Sequence, residues 1–198
     1  ESEKKLMIFQ ENPVKEFIEF NNRREGPIFE ADEQILWNYR AKNLKDPELL
    51  VLNRQTNKNY FLKSNSTKIN SSYWFLKLQN EFIKYHLSER KIFDLMSLSN
   101  GNKKLFEQFV VFEILQNAMG GDHGLIYHNR KFFANNFENS FEPIYYDGMS
   151  HVFTDIFETT NTFKTKKYNF ETLFIYMSQL ENLDKFEKKL INLLNNKN

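Results

Sequence analysis

Cysteine is missing from all 198 residues. Its absence rules out disulfides, cysteine nucleophiles and thiolate metal sites. It leaves the compartment open, because secreted chains can lack cysteine too. Net charge is nearly missing as well: 27 Lys and Arg against 26 Asp and Glu leave +1, with a pI of about 8.1. No global field therefore points to nucleic acid or to an anionic membrane, and no Lys/Arg run is long enough to override that balance. No apolar run approaches the ~20 residues that a membrane-spanning helix needs. No signal peptide is visible, and no internal repeat. The chain opens on Glu1 rather than Met, so a processed product or an excised piece is expected, with further sequence upstream.

What is plentiful is Phe, with 21 residues against 9 Tyr and 2 Trp. That content implies an unusually aromatic core. Lys and Asn take much of the room that Arg, Ala and Gly usually fill, as genome base composition alone can cause. The length suits one domain, or a domain with a helical appendage, and suffices to bury a real core.

Apolar spacing predicts a first helix over Pro13–Asn21, ended by Gly26-Pro27, and a second over Ala31–Asn43 with Ile35, Leu36 and Tyr39 on one face. ELLVLNRQTNKNYFLKS reads as two short strands around a turn at Gln55–Lys58. Ser64–Ser72 reads as a polar loop carrying N-x-S/T sequons at Asn65 and Asn70, which are expected to be chance matches in so Asn-rich a chain. Tyr73–Leu87 puts Trp74, Phe75, Leu78, Phe82 and Ile83 on one broad helical face. A short helix or turn is expected over Phe93–Leu98. Lys103–Met119 is apolar nearly all round, which predicts a central buried helix with Phe109 and Phe112 inside, stopped by Gly120-Gly121. Lys131–Ala134 and Glu142–Tyr146 read as strands around a turn at Asn135–Ser140. Two further helices are expected, over Phe170–Leu180 and Asp184–Leu194.

Between the buried helix and the hairpin lies GGDHGLIYHNR, residues 120–130, and PIYYDG follows thirteen residues later. Two of the four histidines fall within six residues of each other, beside Asp122, Asn129 and Arg130, and His151 follows Asp147 by four. No helical charge pattern explains this crowding. Protein-kinase-like phosphotransferases have the same order: core helix, loop with a base and a metal-binding asparagine, hairpin, then a second aspartate for Mg²⁺. Phosphoryl transfer needs hard oxygen ligands around Mg²⁺ and one group to orient the attacking hydroxyl. On this reading Asn129 and Asp147 hold the metal, Asp122 or His123 is the base, and Arg130 is a phosphate contact or a structural anchor.

The stretch HGLIYHNRKFFANNFENSFEPIYYDG, residues 123–148, resembles the active-site segment of CotH-type protein kinases, in the branch with a His-rich loop. A histidine, an H-N pair, an R-x-F-Y/F strand and a P-I-x-x-D-G strand recur there in this order. The resemblance extends more loosely over residues 73–150. It implies an α+β, mostly helical fold like the C-terminal lobe of a kinase-like protein, with small β-hairpins. Residues 1–72 would then be a remnant of, or link to, a nucleotide lobe, and residues 73–198 the helical lobe with its active-site loop at 120–151. It implies Mg²⁺ and ATP as cofactors, Asp147 and Asn129 as metal ligands, a protein or surface-glycan acceptor, and a cell-surface or extracytoplasmic location. The better-known CotH kinases have an aspartate where His123 stands, so the base is either Asp122, by a one-residue shift, or an imidazole. Lys63, at the end of an expected strand Tyr60–Lys63, is the nearest match to the family's nucleotide-binding lysine; no Gly-rich loop is found.

Two other function classes fit the same residues. A divalent-metal hydrolase would use His123, His128, Asp147 and His151, because imidazole suits Zn²⁺, Mn²⁺ or Fe²⁺. A catalytically inactive kinase-like module would keep the loop for its hydrogen bonds alone. Each residue also has a plainer reading: His86 and His151 as structural histidines, Asp122 and Asp147-Gly148 as turn residues.

Overall fold

Aromatic side chains at helical spacing drive two long helices against one face of a small sheet. In the computed structural model, residues 15–45 and 52–148 are described. The chain is α+β. It runs α1 (Lys15–Phe20), β1 (Ile28–Ala31), α2 (Gln34–Ala41), β2 (Asn53–Gln55), α3 (Lys58–Leu62), α4 (Asn65–Leu87), α5 (Leu95–Leu98), α6 (Lys103–Ala118), a 3₁₀ turn (Asp122–Leu125), β3 (Lys131–Asn135) and β4 (Ser140–Ile144). The strands form one antiparallel sheet in the order β2-β1-β3-β4.

Alternation along the strands sorts the two faces. Phe29 and Phe132 lie opposite each other in the ladder, as do Phe132 and Pro143, and Phe29, Phe132 and Phe141 face the helices. Trp74, Leu78 and Phe82 of α4 and Phe106, Phe109 and Val110 of α6 fill the space above them. Full burial of each such side chain stabilises by about 1.5–3 kcal/mol. Edge-to-face contacts order this layer, with Trp74–Phe141 centroids at 5.0 Å and Phe82–Phe93 at 5.2 Å. On the opposite face, Ile18 of α1 packs on Ile28 and Phe133.

The chain departs from the sequence reading at several places. Ala31 belongs to β1, not to a helix, because β1 is central and pairs on both edges; α2 starts only at Gln34, and of its expected apolar face Leu36 alone is buried. The expected hairpin after residue 48 does not form. Asn57 donates to the carbonyl of Gly26 and accepts from the amide of Ile28, which pins the turn to β1 and sends Lys58–Leu62 into a short helix. The supposed loop Ser64–Ser72 is the front of α4. Ser64 accepts from the Thr67 amide and Thr67 Oγ1 accepts from the Ser64 amide, a capping box that starts the helix through a run of polar residues. Ile83 lies on the solvent side of α4, while Phe112 is only half-buried.

Strand β4 also begins two residues earlier than expected. The boundary expected between residues 72 and 73 falls inside α4, and β1 and β2 share their sheet with β3 and β4. The expected helices at 170–180 and 184–194, and His151, lie outside the described residues.

Candidate active-site loop

Helix α6 ends where the glycine pair predicts. Gly120 takes φ +66°, and the Gly121 amide returns to the carbonyl of Gln116 at 2.7 Å. The chain then tightens into the 3₁₀ turn, whose Leu125 is fully buried and plugs the loop into the core.

Arg130 fixes the far end of the loop. Its guanidinium donates to both carboxylate oxygens of Glu113 on α6 (Nη2 to Oε2 at 2.9 Å), and its Nε donates to the Leu125 carbonyl at 2.8 Å. Arg130 is 6% exposed and Glu113 1%. Arg130 has the contacts of a structural anchor: all three guanidinium nitrogens donate within the chain.

Asn129 comes next to this anchor. Its Nδ2 donates to the carbonyl of His123 at 2.9 Å, and its backbone amide to Ile126 at 2.9 Å. With the amide nitrogen so held, the Oδ1 atom takes no hydrogen bond among the described residues. His123 Nε2 lies 3.5 Å from Oδ2 of Asp147. Loop and hairpin tail are brought together by a close backbone crossing at Gly124. A β-carbon there would stand 2.7 Å from the Tyr146 carbonyl and 3.2 Å from Gly148 Cα. His123 thus links two stretches of chain: its backbone carbonyl accepts from Asn129, and its ring faces Asp147. Asp147 is half exposed, at 51% of its side chain.

Charge gathers behind this point. On the sheet face away from α4 and α6, Glu30 pairs with Arg54 at 2.7 Å and with Lys131 at 3.1 Å. The Lys131 ammonium sits over the Tyr146 ring. Burial first, then the carboxylates of Glu30, Asp147 and Glu33, push the Tyr146 phenol above its ordinary range.

Asp122 opens the 3₁₀ turn and shares no hydrogen bond with Asn129 or Asp147 among the described residues. Lys63 does not belong to the site. It caps α3 and is paired with Glu25 at 2.5 Å, beside the end of the sheet where β3 finishes. The loop enters β3 at the opposite end, about 13 Å away for four strand steps of roughly 3.3 Å each. Of the four-ligand hydrolase set, His151 lies outside the described residues, and the other three do not gather among those described. His128 turns to Glu33, with 3.7 Å between Nε2 and Oε1, and no group of three or more His, Asp or Glu is arranged to hold a metal ion among the described residues. His86 is a buried structural residue, edge-on to Tyr127 at 4.8 Å.

The residues that sequence reasoning missed are Glu113, Gly124 and the Glu30–Lys131 pair. Glu113 carried a signal: it falls three residues after Val110 and four after Phe109, on the apolar face, where an acid needs a partner. The other two depend on chain crossings that local sequence does not show. No family model, curated protein or solved structure matches this chain, so the site rests on its own geometry.

Proposed function

We propose that residues 120–148 form the core of a CotH-like phosphotransferase site that moves phosphate from ATP to a protein or surface-glycan hydroxyl. The single observation that supports this reading best is the meeting of Asp147 with the loop at His123, the residue to which Asn129 is also bonded. Asn129 Oδ1 and the Asp147 carboxylate are hard oxygen donors, the type Mg²⁺ prefers, and both belong to residues that contact His123. They would hold the ion, which when bound neutralises phosphate charge.

The rest of the chemistry falls to side chains of the chain itself. One Asp147 oxygen faces the imidazole and steadies the ring. The other oxygen is left for the cation. His123 takes the proton of the attacking hydroxyl, and Asp122 has no part in it. Arg130 and Glu113 keep the loop from shifting as substrate binds, which matters because phosphoryl transfer depends chiefly on positioning.

Thermal shift with Mg²⁺-ATP on the full-length chain tests the reading. Stabilisation that needs both ATP and Mg²⁺ is expected, and Asp147→Asn should remove it together with turnover. His123→Ala should keep nucleotide binding and lower the transfer rate by ~10²–10⁴-fold, as for a lost general base. Asp122→Ala should be silent. If the full-length parent never binds nucleotide, the phosphotransferase reading is wrong and a non-catalytic binding module replaces it.

A further inference from the structure

A second feature lies apart from the loop. Between α3, the front half of α4 and the edge of the sheet at β1 and β2 there is a cavity of about 510 Å³. That volume falls inside the ~300–1,000 Å³ typical of small-molecule sites. Its inner surface comes from Phe29 and Phe75, and its outer wall from Phe61 and Leu76. Three phenyl rings around one opening suit a flat aromatic body better than a flexible chain.

Two of its polar lining side chains have no partner among the described residues, whereas Gln55 and Ser72 are bonded. Ser71 lines it, is 2% exposed, and its hydroxyl has no hydrogen-bond partner. Buried hydroxyls in native proteins are nearly always bonded, so an unpartnered one beside a cavity points to a missing group. Lys58 stands at the rim, and its ammonium forms no ion pair or hydrogen bond among the described residues. The carboxylates of Glu25, ahead of β1, and Glu30, within it, are committed elsewhere: Glu25 to Lys63, and Glu30 to Arg54 and Lys131. The cavity therefore has an aromatic interior, one cation at its mouth and one free hydroxyl at depth.

We infer that this cavity binds a small carboxylic acid with an aromatic body. The ring enters between Phe61, Phe75 and Phe29, the carboxylate stays at the rim with Lys58, and a polar ring substituent or ordered water reaches Ser71. This site does not depend on the phosphotransferase reading, and neither Asn129 nor Asp147 takes part in it.

The test titrates isotope-labelled full chain with 3-phenylpropionate, following the amide resonances of Ser71–Leu76. Two comparison probes are 3-phenylpropionamide, which keeps the ring and lacks the charge, and propionate, which lacks the ring. The acid should bind saturably with Kd at or below ~1 mM, the amide roughly fivefold more weakly, and propionate should give no saturable shift. Lys58→Gln should erase the difference between acid and amide while leaving amide binding unchanged. Phe61→Ala, at a partly exposed position, should weaken both aromatic probes. The inference is overturned if the acid gives no saturable shift at Ser71–Leu76, if acid and amide bind alike to the parent, or if Lys58→Gln keeps the preference.

Discussion

Glu113→Leu should be the most damaging single change near the loop. Glu113 and Arg130 are 1% and 6% exposed, joined by two hydrogen bonds, and the guanidinium also holds the Leu125 carbonyl and stacks over Phe93 at 5.2 Å. A leucine in place of the acid leaves a buried cation without its counter-charge, a loss of about 3–5 kcal/mol for pairs of this kind. Domains of ordinary size are stable by only ~5–15 kcal/mol. With a urea dependence of ~1–3 kcal/mol per molar, the midpoint should fall by at least about 1 M. The informative partner is the double variant Glu113→Leu with Arg130→Met, which removes both charges and fills much the same volume. Replacing both members of a buried pair is often neutral, so the double variant should recover most of the loss; only the bond to the Leu125 carbonyl stays broken. Equilibrium urea unfolding of the parent, both single variants and the double variant gives the coupling directly. If Glu113→Leu costs less than ~1 kcal/mol, or the double variant loses the sum of the singles, the pair does not anchor the loop as described.

Two further changes probe how the loop is held. Phe109→Ala, at a site 1% exposed in the aromatic layer, should cost ~3–5 kcal/mol by urea unfolding; a loss below 1 kcal/mol would mean that α6 does not pack on the sheet. Gly124→Ala forces a β-carbon to within 2.7 Å of the Tyr146 carbonyl, so the crossing must open at a cost of about 1–3 kcal/mol. The same variant should weaken Mg²⁺-ATP binding more than Phe109→Ala does when both are compared below their melting temperatures.

What could be read from the sequence was local. The 3.6-residue spacing of Phe106, Phe109 and Val110, followed by two glycines, gives α6 and its end to within a residue. The hairpin is legible because Asn135 can accept from the amides of Phe137 and Glu138, closing the turn as Asn commonly does. What could not be read was pairing at a distance. Phe29 meets Phe132 across more than a hundred residues, so local sequence assigns no strand to Ile28–Glu30 and takes Ala31, the last residue of β1, as the start of a helix. The polar front of α4 was read as a loop because Ser, Thr and Asn favour turns; its capping box carried the contrary signal. For the candidate site, residue types mark the loop, but each residue's neighbours are visible only in the fold. Arg130 is an anchor because Glu113 lies beneath it, and Lys63 stands apart because its segment is a helix at the other end of the sheet.

Six glycines serve the whole chain, and asparagine fills part of their place. Outside glycine, positive φ occurs at Asn22, Asn43, Asn100, Asn139, Lys91 and Asp147 among the described residues. Asn and Asp enter this left-handed region more easily than other side chains, so the Asn-rich composition has a conformational use, whatever its origin. The same observation limits what backbone shape can say about Asp147: its φ of +47° is what a turn before Gly148 requires, with or without a function. Charge must decide. Asp147→Asn keeps the left-handed turn and the side-chain volume and removes only the carboxylate, whereas Asp147→Gly keeps the turn and removes the side chain. If Asp147 is only a turn residue, both variants should match the parent in stability and in every ligand response. If its carboxylate holds a cation, both should lose Mg²⁺-ATP stabilisation completely while their ligand-free melting temperatures stay close to the parent's. Retained Mg²⁺-ATP stabilisation in Asp147→Asn would remove Asp147 from the metal site, and with it the physical case for phosphoryl transfer at this loop.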